Sequence, residues 1–369
     1  MKVIRGISNI RRFPLPVVAL GVFDGVHLGH RSILSAAVET AKEIRGTSVA
    51  VTFWPHPQNR KSLYSLEHRL RIIGELGLQA AIVIKFTGAF SRLSAERFVK
   101  DILVDRISAR YIFIGKNFHF GKDRKGDYRL LQRSSARNNF KVRVFEIIRR
   151  KDMPISSTLL RELISRGELS RARQLLLRPV SVLGTVIKGE SRGSSLGFPT
   201  ANIDPHHEVL PPDGIYAVRV ILGGKKFKGV CYIGKKPTFR KHLSNNRHCE
   251  EAEEIPRLSL RGTAGAEAIS ITGSEQAAQS QKQDCFAPCL AGRQASGLAM
   301  TVAGQFPRRR ESTGIEVHIL GFHRNIYAKT LEIQFIKKIR EDRKFSSALK
   351  LSGQIKKDIS RAKNIFSHT

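Results

Sequence analysis

Apolar residues along this chain fall into two regimes. In the first, short apolar runs alternate with stretches whose apolar positions recur every three or four residues. Residues 17–21 read as a buried strand. Residues 31–45 read as a helix, with Ile33, Leu34, Ala37 and Ala41 at helical spacing, and residues 47–53 as a second strand rich in β-branched side chains. Residues 80–85, 111–114 and 141–147 continue the strands, with helices between them. Strand alternating with helix predicts a parallel sheet covered on both faces.

After about Pro179 the apolar stretches shorten and Gly, Pro and Lys punctuate them. Residues 182–187, 216–222, 227–233, 317–322 and 331–335 fit strands of an antiparallel barrel or sandwich. Residues 346–362 fit a terminal amphipathic helix, with Leu349, Ile355 and Ile359 among its apolar positions. Between about residues 243 and 313 neither period holds, and Ala, Gly, Ser, Gln and Arg dominate. So long a structureless stretch inside a compact domain is improbable, so it reads as a disordered insert. Its fragments around Arg247-His248-Cys249 and Gly297-Leu298-Ala299 resemble translated mobile palindromic repeats. The expected organisation is a domain over residues 1–178 and a second over 179–369 that carries the insert.

The 369 residues exceed what one core usually organises, and 41% of them are hydrophobic, ample for two. No apolar run approaches the roughly 20 residues that span a bilayer, and the N-terminus lacks a leader pattern. Four cysteines are too few for a disulfide framework, which fits a reducing, cytoplasmic setting. Cys285-x-x-x-Cys289 with His248-Cys249 matches no compact zinc spacing, and Cys231 reads as core. The net charge of +33 favours polyanionic partners. It is spread along the chain, however, and runs such as Arg308-Arg309-Arg310 lack interleaved aromatics. It reads as solvated surface, with no specific nucleic-acid or membrane partner.

The first chemical constellation is Gly21-Val22-Phe23-Asp24-Gly25-Val26-His27-Leu28-Gly29-His30, between a buried strand and a helix. It puts two imidazoles beside a helix N-terminus, where free N–H groups and the dipole attract phosphate. Imidazoles aimed at an α-phosphate stabilise the charge that grows as pyrophosphate leaves. Gly25 and Gly29 allow close backbone approach. Two histidines packed on a sheet are the plainer alternative. Ser156-Ser157-Thr158 alone reads as a helix cap, but Arg161 one turn later makes phosphate contact plausible.

The second constellation runs from Gly184 through Gly189 and Gly193 to Gly197, followed by Pro199-Thr200-Ala201-Asn202. Such glycines expose N–H groups to phosphate, although turns also need glycine. Thr200 and Asn202 lie at i and i+2 on one face of an extended segment, suited to Mg²⁺ and a phosphate oxygen. Glu316 alternates with Ile315 and Val317, which turns it toward either a site or water.

These segments, with Thr52-Phe53-Trp54-Pro55-His56-Pro57 and Gly115-Lys116-Asn117-Phe118-His119-Phe120-Gly121, occur in the order seen in bacterial bifunctional riboflavin kinase/FAD synthetases. The chain resembles that family over nearly everything except the insert. The resemblance implies an α/β, Rossmann-like nucleotidyltransferase domain of the HxGH type, followed by an antiparallel β-barrel kinase domain with a terminal helix. It implies His27, His30 and Arg161 as catalytic groups of adenylyl transfer, and Gly21, Phe23, Asp24, Gly25, Ser156, Ser157 and Thr158 around ATP. Asn117, Phe118 and Phe120 would seat the flavin. In the kinase, Gly184, Gly189, Gly193, Gly197, Thr200 and Asn202 would hold ATP, Thr200 and Asn202 its Mg²⁺, and Glu316 would be the base.

Trp54 stands where this family usually carries an acidic residue, and residues 232–236 and 321–327 vary its kinase patterns. The implied activity is conversion of riboflavin to FMN by ATP and Mg²⁺, then adenylylation of FMN to FAD with release of pyrophosphate. The alternatives are an FMN adenylyltransferase whose kinase is impaired by the insert, and a basic RNA- or membrane-associating protein on a nucleotide-binding scaffold.

Overall fold

The computed structural model describes residues 1–10, 12–58, 61–150, 153–189, 197–206, 208–235 and 313–367. The expected insert at 243–313 lies almost wholly outside them, as do Gly193, His248, Cys249, Cys285 and Cys289.

The N-terminal half is the expected parallel α/β sheet. Strands β1 (Lys2–Arg5), β2 (Pro16–Leu20), β3 (Thr47–Trp54), β4 (Ala80–Lys85), β5 (Tyr111–Gly115) and β6 (Lys141–Phe145) lie in the order β1-β4-β3-β2-β5-β6. All five pairings are parallel. β2 is buried along its whole length, because helices cover both of its faces. Val18 and Leu20 point into one core with Val51 and Ile82, whereas Val17 and Ala19 point into the other with Leu34 and Phe113.

The covering helices include α1 (Leu28–Glu43), α2 (Leu66–Glu75) and the short α4 (Ala95–Arg97), which runs on into a π-helical segment, Phe98–Arg106, while the short α3 (Gly88–Ser91) buries no residue. Beyond them lies α5 (Tyr128–Asn138). β1 is a four-residue edge strand with only Ile4 buried. Chain order reverses between β2 and β5, and ligands of open α/β sheets bind outside the strand ends at such a point. The segment 21–30 leaves β2 there, and residues 116–120 leave β5 beside it.

A small hairpin, β7 (Arg149–Arg150) and β8 (Met153–Pro154), leads into α6 (Ser157–Ser165) and α7 (Leu169–Leu176). The second half is a closed antiparallel barrel of β9 (Ser181–Ile187), β10 (Ala201–Asp204), β11 (Gly214–Leu222), β12 (Lys225–Lys235), β13 (Thr313–Ile319) and β14 (Thr330–Arg340), in the order β10-β13-β12-β11-β14-β9. β9 and β10 pair to close the ring. A barrel, not a sandwich, answers the sequence expectation, and closure leaves no free sheet edge.

The register across β12 and β13 runs unbroken from Gly229↔Ile319 to Lys235↔Thr313. The chain between Lys235 and Thr313 therefore joins the ends of two adjacent strands, and β13 begins four residues before the pattern suggested. Inside, Val182, Val218, Ile233, Val317 and Ile333 form one continuous core with Leu160, Leu163 and Leu176 of α6 and α7.

The terminal helix α8 (Ala348–Ser367) is longer than expected, and its buried face is Gln354, Asp358, Ala362 and Phe366. Leu349, expected among its apolar positions, is 83% exposed. What α8 buries near its middle is polar: Asp358 takes a bidentate pair from Arg340 at 2.8–3.1 Å.

Candidate active site

Past β2 the backbone enters the left-handed region at Phe23 (φ 53°), Gly25 (φ 85°) and Val26 (φ 41°). Such conformations cost non-glycine residues about 1–3 kcal/mol each. Full burial of the Phe23 and Val26 side chains offsets that cost. A Cβ on Gly25 would come within 2.6 Å of Leu63 Cδ1, so this turn requires glycine. The turn delivers His27 to the N-cap of α1, where its side chain makes no capping hydrogen bond. The first-turn N–H groups of this 16-residue helix are thereby left to another acceptor.

One turn on, His30 stacks on His27, with ring centroids 3.7 Å apart and planes 20° apart. Burial pushes His27 down to about 4. It pushes His30 well below its ordinary value, helped by His27 and by Arg69. Both rings are therefore neutral at pH 7. Their Nδ1 atoms are buried and have no hydrogen-bond partner among the described residues.

Asp24, 1% exposed, organises the surrounding charges. Its carboxylate accepts from Leu63 N at 3.0 Å, pairs closely with Arg161, and lies 3.6 Å from Arg69. Ser157 Oγ donates to the Asp24 carbonyl at 2.7 Å. Ser156 caps α6 by accepting from Leu159 N at 3.2 Å, so the plainer reading of that serine holds as well. Arg69 was missed in the sequence. It is fully buried, donates to Val22 O at 2.9 Å, and stands 5.6 Å from the Trp54 ring centroid. An aromatic face thus meets this guanidinium. The available signal was a charge on the apolar face of α2, between Leu66 and Ile73.

Beside this loop lies a cavity of about 310 Å³, whose walls include Phe53, Phe86 and Phe98. Asn117, Phe118 and Phe120 line it, and so do Ser157, Thr158 and Arg161. Two groups of residues far apart in sequence, one expected to seat a flat ring and one to hold phosphate, share one cavity. Phe53 and Phe118 lie nearly parallel with centroids 6.3 Å apart, a wall suited to a planar aromatic ligand.

On the barrel, Asn202 and Glu316 face each other across β10 and β13, and Thr200 Oγ1 donates to Glu316 Oε2 at 3.5 Å. Glu316 is half-buried on the outer face, since Ile315 and Val317 point inward. A Cβ on Gly189 would collide with the Asn202 carboxamide, so the loop backbone presses directly on that side chain. Gly184 sits within β9, where a Cβ would strike Ile203 and the Asp204 carbonyl, a demand of strand packing. Gly197 has φ 83°, and among the described residues nothing lies within 4 Å of where its Cβ would be.

A second cavity, of about 380 Å³, runs between Thr200 and the loop after β13, with His323, Arg324, Asn325 and Tyr327 on its far side. Glu316 and Asn202 lie next to this cavity rather than among its lining residues. The donor set of a hydroxyl, a carboxamide and a carboxylate is all oxygen, the set a hard cation takes. Cys231 is buried in the barrel core and free, and burial pushes its thiol well up. Among the described residues no helix is long and apolar enough to cross a membrane.

Comparison with known proteins follows the same division. Residues 13–159 match the family described as FAD synthetase, and residues 176–254 and 279–366 match that described as riboflavin kinase. The bifunctional riboflavin kinase/FMN adenylyltransferase of Buchnera aphidicola subsp. Schizaphis graminum is 31% identical over 99% of each chain. That of Escherichia coli K12 is 27% identical over 100% of this chain and 99% of its own. A Streptococcus pneumoniae crystal structure described as a macrolide-efflux protein shares the fold over 99% of each chain, at 23% identity and a TM-score of 0.68. With a parallel α/β half, a closed barrel and whole-length relatives in agreement, this chain belongs to the bifunctional riboflavin kinase/FMN adenylyltransferase family.

Proposed function

We propose that the chain makes FAD from riboflavin in two ATP-dependent steps, one in each half. In the barrel, Glu316 takes the proton from the terminal ribityl hydroxyl as that oxygen attacks the γ-phosphate of ATP, giving FMN and ADP. Thr200 and Asn202 hold the ATP phosphates with Mg²⁺. The all-oxygen donor set and the fit of Asn202 against Gly189 support that assignment. The cation, when bound, neutralises charge on the phosphate oxygens.

In the α/β half, an FMN phosphate oxygen attacks the α-phosphate of a second ATP, and pyrophosphate leaves. The free N–H groups of α1 and the His27–His30 pair face the charge that develops. Each neutral imidazole has one N–H to donate to that charge. Arg161, set by Asp24 and by its donation to Lys61 O at 2.8 Å, clamps the phosphates with Ser157 and Thr158. Phe118, Phe120 and Asn117 hold the isoalloxazine ring. Positioning of two bound reactants is the main contribution here, because no covalent enzyme intermediate is needed. A cytoplasmic location is part of the same reading, since both steps consume ATP.

The observation that carries this reading is the shared cavity, which joins Asn117, Phe118 and Phe120 to Ser157, Thr158 and Arg161. Purified protein is incubated with Mg-ATP and riboflavin, and separately with Mg-ATP and FMN, and the flavins are separated by chromatography. FAD from both incubations is the expected result. FAD from FMN alone would remove the kinase half, and no FAD from either would overturn the proposal.

A further inference from the structure

A buried cluster outside both cavities joins the barrel to α2. The Glu208 carboxylate, on the loop between β10 and β11, is completely buried. It accepts from Ser65 N at 2.8 Å, from Leu183 N of β9 at 3.1 Å, and from His68 Nδ1 at 3.0 Å. His68, itself 0% exposed, meets Arg178 Nη2 at 3.0 Å and Ser181 Oγ at 3.3 Å on its other side. Glu332 of β14 accepts from Arg178 at 3.1 Å and lies 3.6 Å from Arg71 of α2. Tyr64 lies under the Arg178 guanidinium, which is 5.0 Å from its ring centroid.

Burying so many charges is expensive unless the geometry is well satisfied, and none of these groups reaches a cavity described above. Their position along the chain is informative. Ser65 is the N-cap of α2, and Glu208 fixes its backbone N–H while the Ser65 side chain accepts from His68 N at 3.3 Å. Two residues earlier, Leu63 N donates to Asp24. One residue after His68, Arg69 holds the carbonyl of Val22 and faces Asp24. The start of α2 is thus held by the barrel on one side, and holds the adenylyl-transfer loop on the other.

We propose that Glu208 and His68 are positioning residues for adenylyl transfer: the kinase half supplies a buried carboxylate that sets α2, and through Leu63 and Arg69 sets Asp24 and Arg161. The barrel is in this sense a structural part of the other half's active site. The inference rests on the proposed adenylylation of FMN.

The test uses the full chain and measures both reactions on each preparation. Glu208→Ala and His68→Ala are expected to lower kcat for FMN to FAD by about 10- to 100-fold, the scale of an ångström-level misplacement. The KM for riboflavin and the kcat of its phosphorylation should stay within about twofold, since the contacts of Glu208 and His68 described above reach β9 but not Thr200, Asn202 or Glu316. His68→Asn keeps a donor near the Nδ1 position and should recover most of the lost adenylylation, which a merely stabilising contact would not single out. Glu208→Gln serves as the milder variant if Glu208→Ala is not obtained folded, and should lose adenylylation selectively.

Unchanged adenylylation in these variants, or an equal loss of both reactions, would overturn the inference. A wild-type protein that forms no FAD from FMN would instead overturn the function on which it rests.

Discussion

The two halves hold their chemistry in opposite ways. In the α/β half nearly every group around His27 and His30 is buried and already engaged: Asp24 with Arg161, Arg69 and Leu63, and Ser157 with the loop backbone. On the barrel, Glu316 and Thr200 are half-buried on an outer surface, joined by one long 3.5 Å contact. The groups of the first are held by one another, whereas Glu316 and Thr200 of the second meet through that single long contact. Removing a reacting group should therefore damage one reaction only, and removing an organising group should damage the fold as well.

The sharpest separation comes from Glu316→Gln. If Glu316 is the base, FMN formation falls by about 10²- to 10⁴-fold, the usual contribution of a positioned base. FAD formation from supplied FMN continues at the wild-type rate, because among the described residues no contact of Glu316 reaches the other half. Rate measurements with riboflavin and with FMN decide it, and a parallel loss of both would break the comparison.

Asp24→Ala tests the other side. It strands Arg69 and Arg161 without their shared carboxylate. Breaking a buried pair in this way costs about 3–5 kcal/mol. Denaturant unfolding of the variant should show that loss in its midpoint, together with loss of adenylylation. A wild-type midpoint with adenylylation lost would mean that Asp24 acts on substrate and organises little. Gly189→Ala is a smaller perturbation. Its Cβ must displace the Asn202 carboxamide, an overpacking worth about 1–3 kcal/mol. The KM for ATP in the riboflavin reaction should rise about tenfold, since 1.4 kcal/mol is one factor of ten in affinity, with FMN adenylylation unaffected.

Local pattern carried much of this architecture. The run from Gly21 to His30 could be placed between a strand and a helix because a continuous apolar strand and a periodic helix flank it, and the structure has both. The stacking of His27 on His30 was not legible, since it depends on the left-handed turn at Phe23 and Val26. Arg69, His68 and Glu208 were missed for a common reason. Each is a charged or titratable residue whose partner lies far away in sequence, so short-range spacing does not name the partner, and only Arg69 leaves a trace, as a charge on the apolar face of α2. Leu349 failed in the opposite direction. It fits an amphipathic pattern, yet α8 is anchored by Asp358 on Arg340 and turns Leu349 outward. Patterns record burial of apolar groups; buried ion pairs leave no period.

Acidity offers the finest probe of the contrast, because the organised half holds His27, His30 and His68 away from their ordinary proton affinity. In the unfolded chain His27 titrates near 6.5, and burial in the folded protein holds it down to about 4. Between these values the unfolded chain binds a proton that the folded chain refuses, so stability falls as pH drops from 6.5 toward 4. Each tenfold difference in proton affinity is about 1.4 kcal/mol, and between pH 7.5 and 5.5 His27 alone should account for about 1.4 kcal/mol of lost stability. His30 acts in the same direction. His68 acts in the opposite one: burial works to lower it, but the Glu208 and Glu332 carboxylates outweigh burial and raise it. Its contribution is present in acid and fades as pH rises through its raised value. Unfolding free energies of wild type and His27→Gln at pH 7.5 and 5.5 isolate the first of these effects. The variant should lose about 1.4 kcal/mol less than wild type on acidification. Equal losses would mean that His27 is solvated in the working protein, and that its neutral state in the adenylyl-transfer site needs another cause.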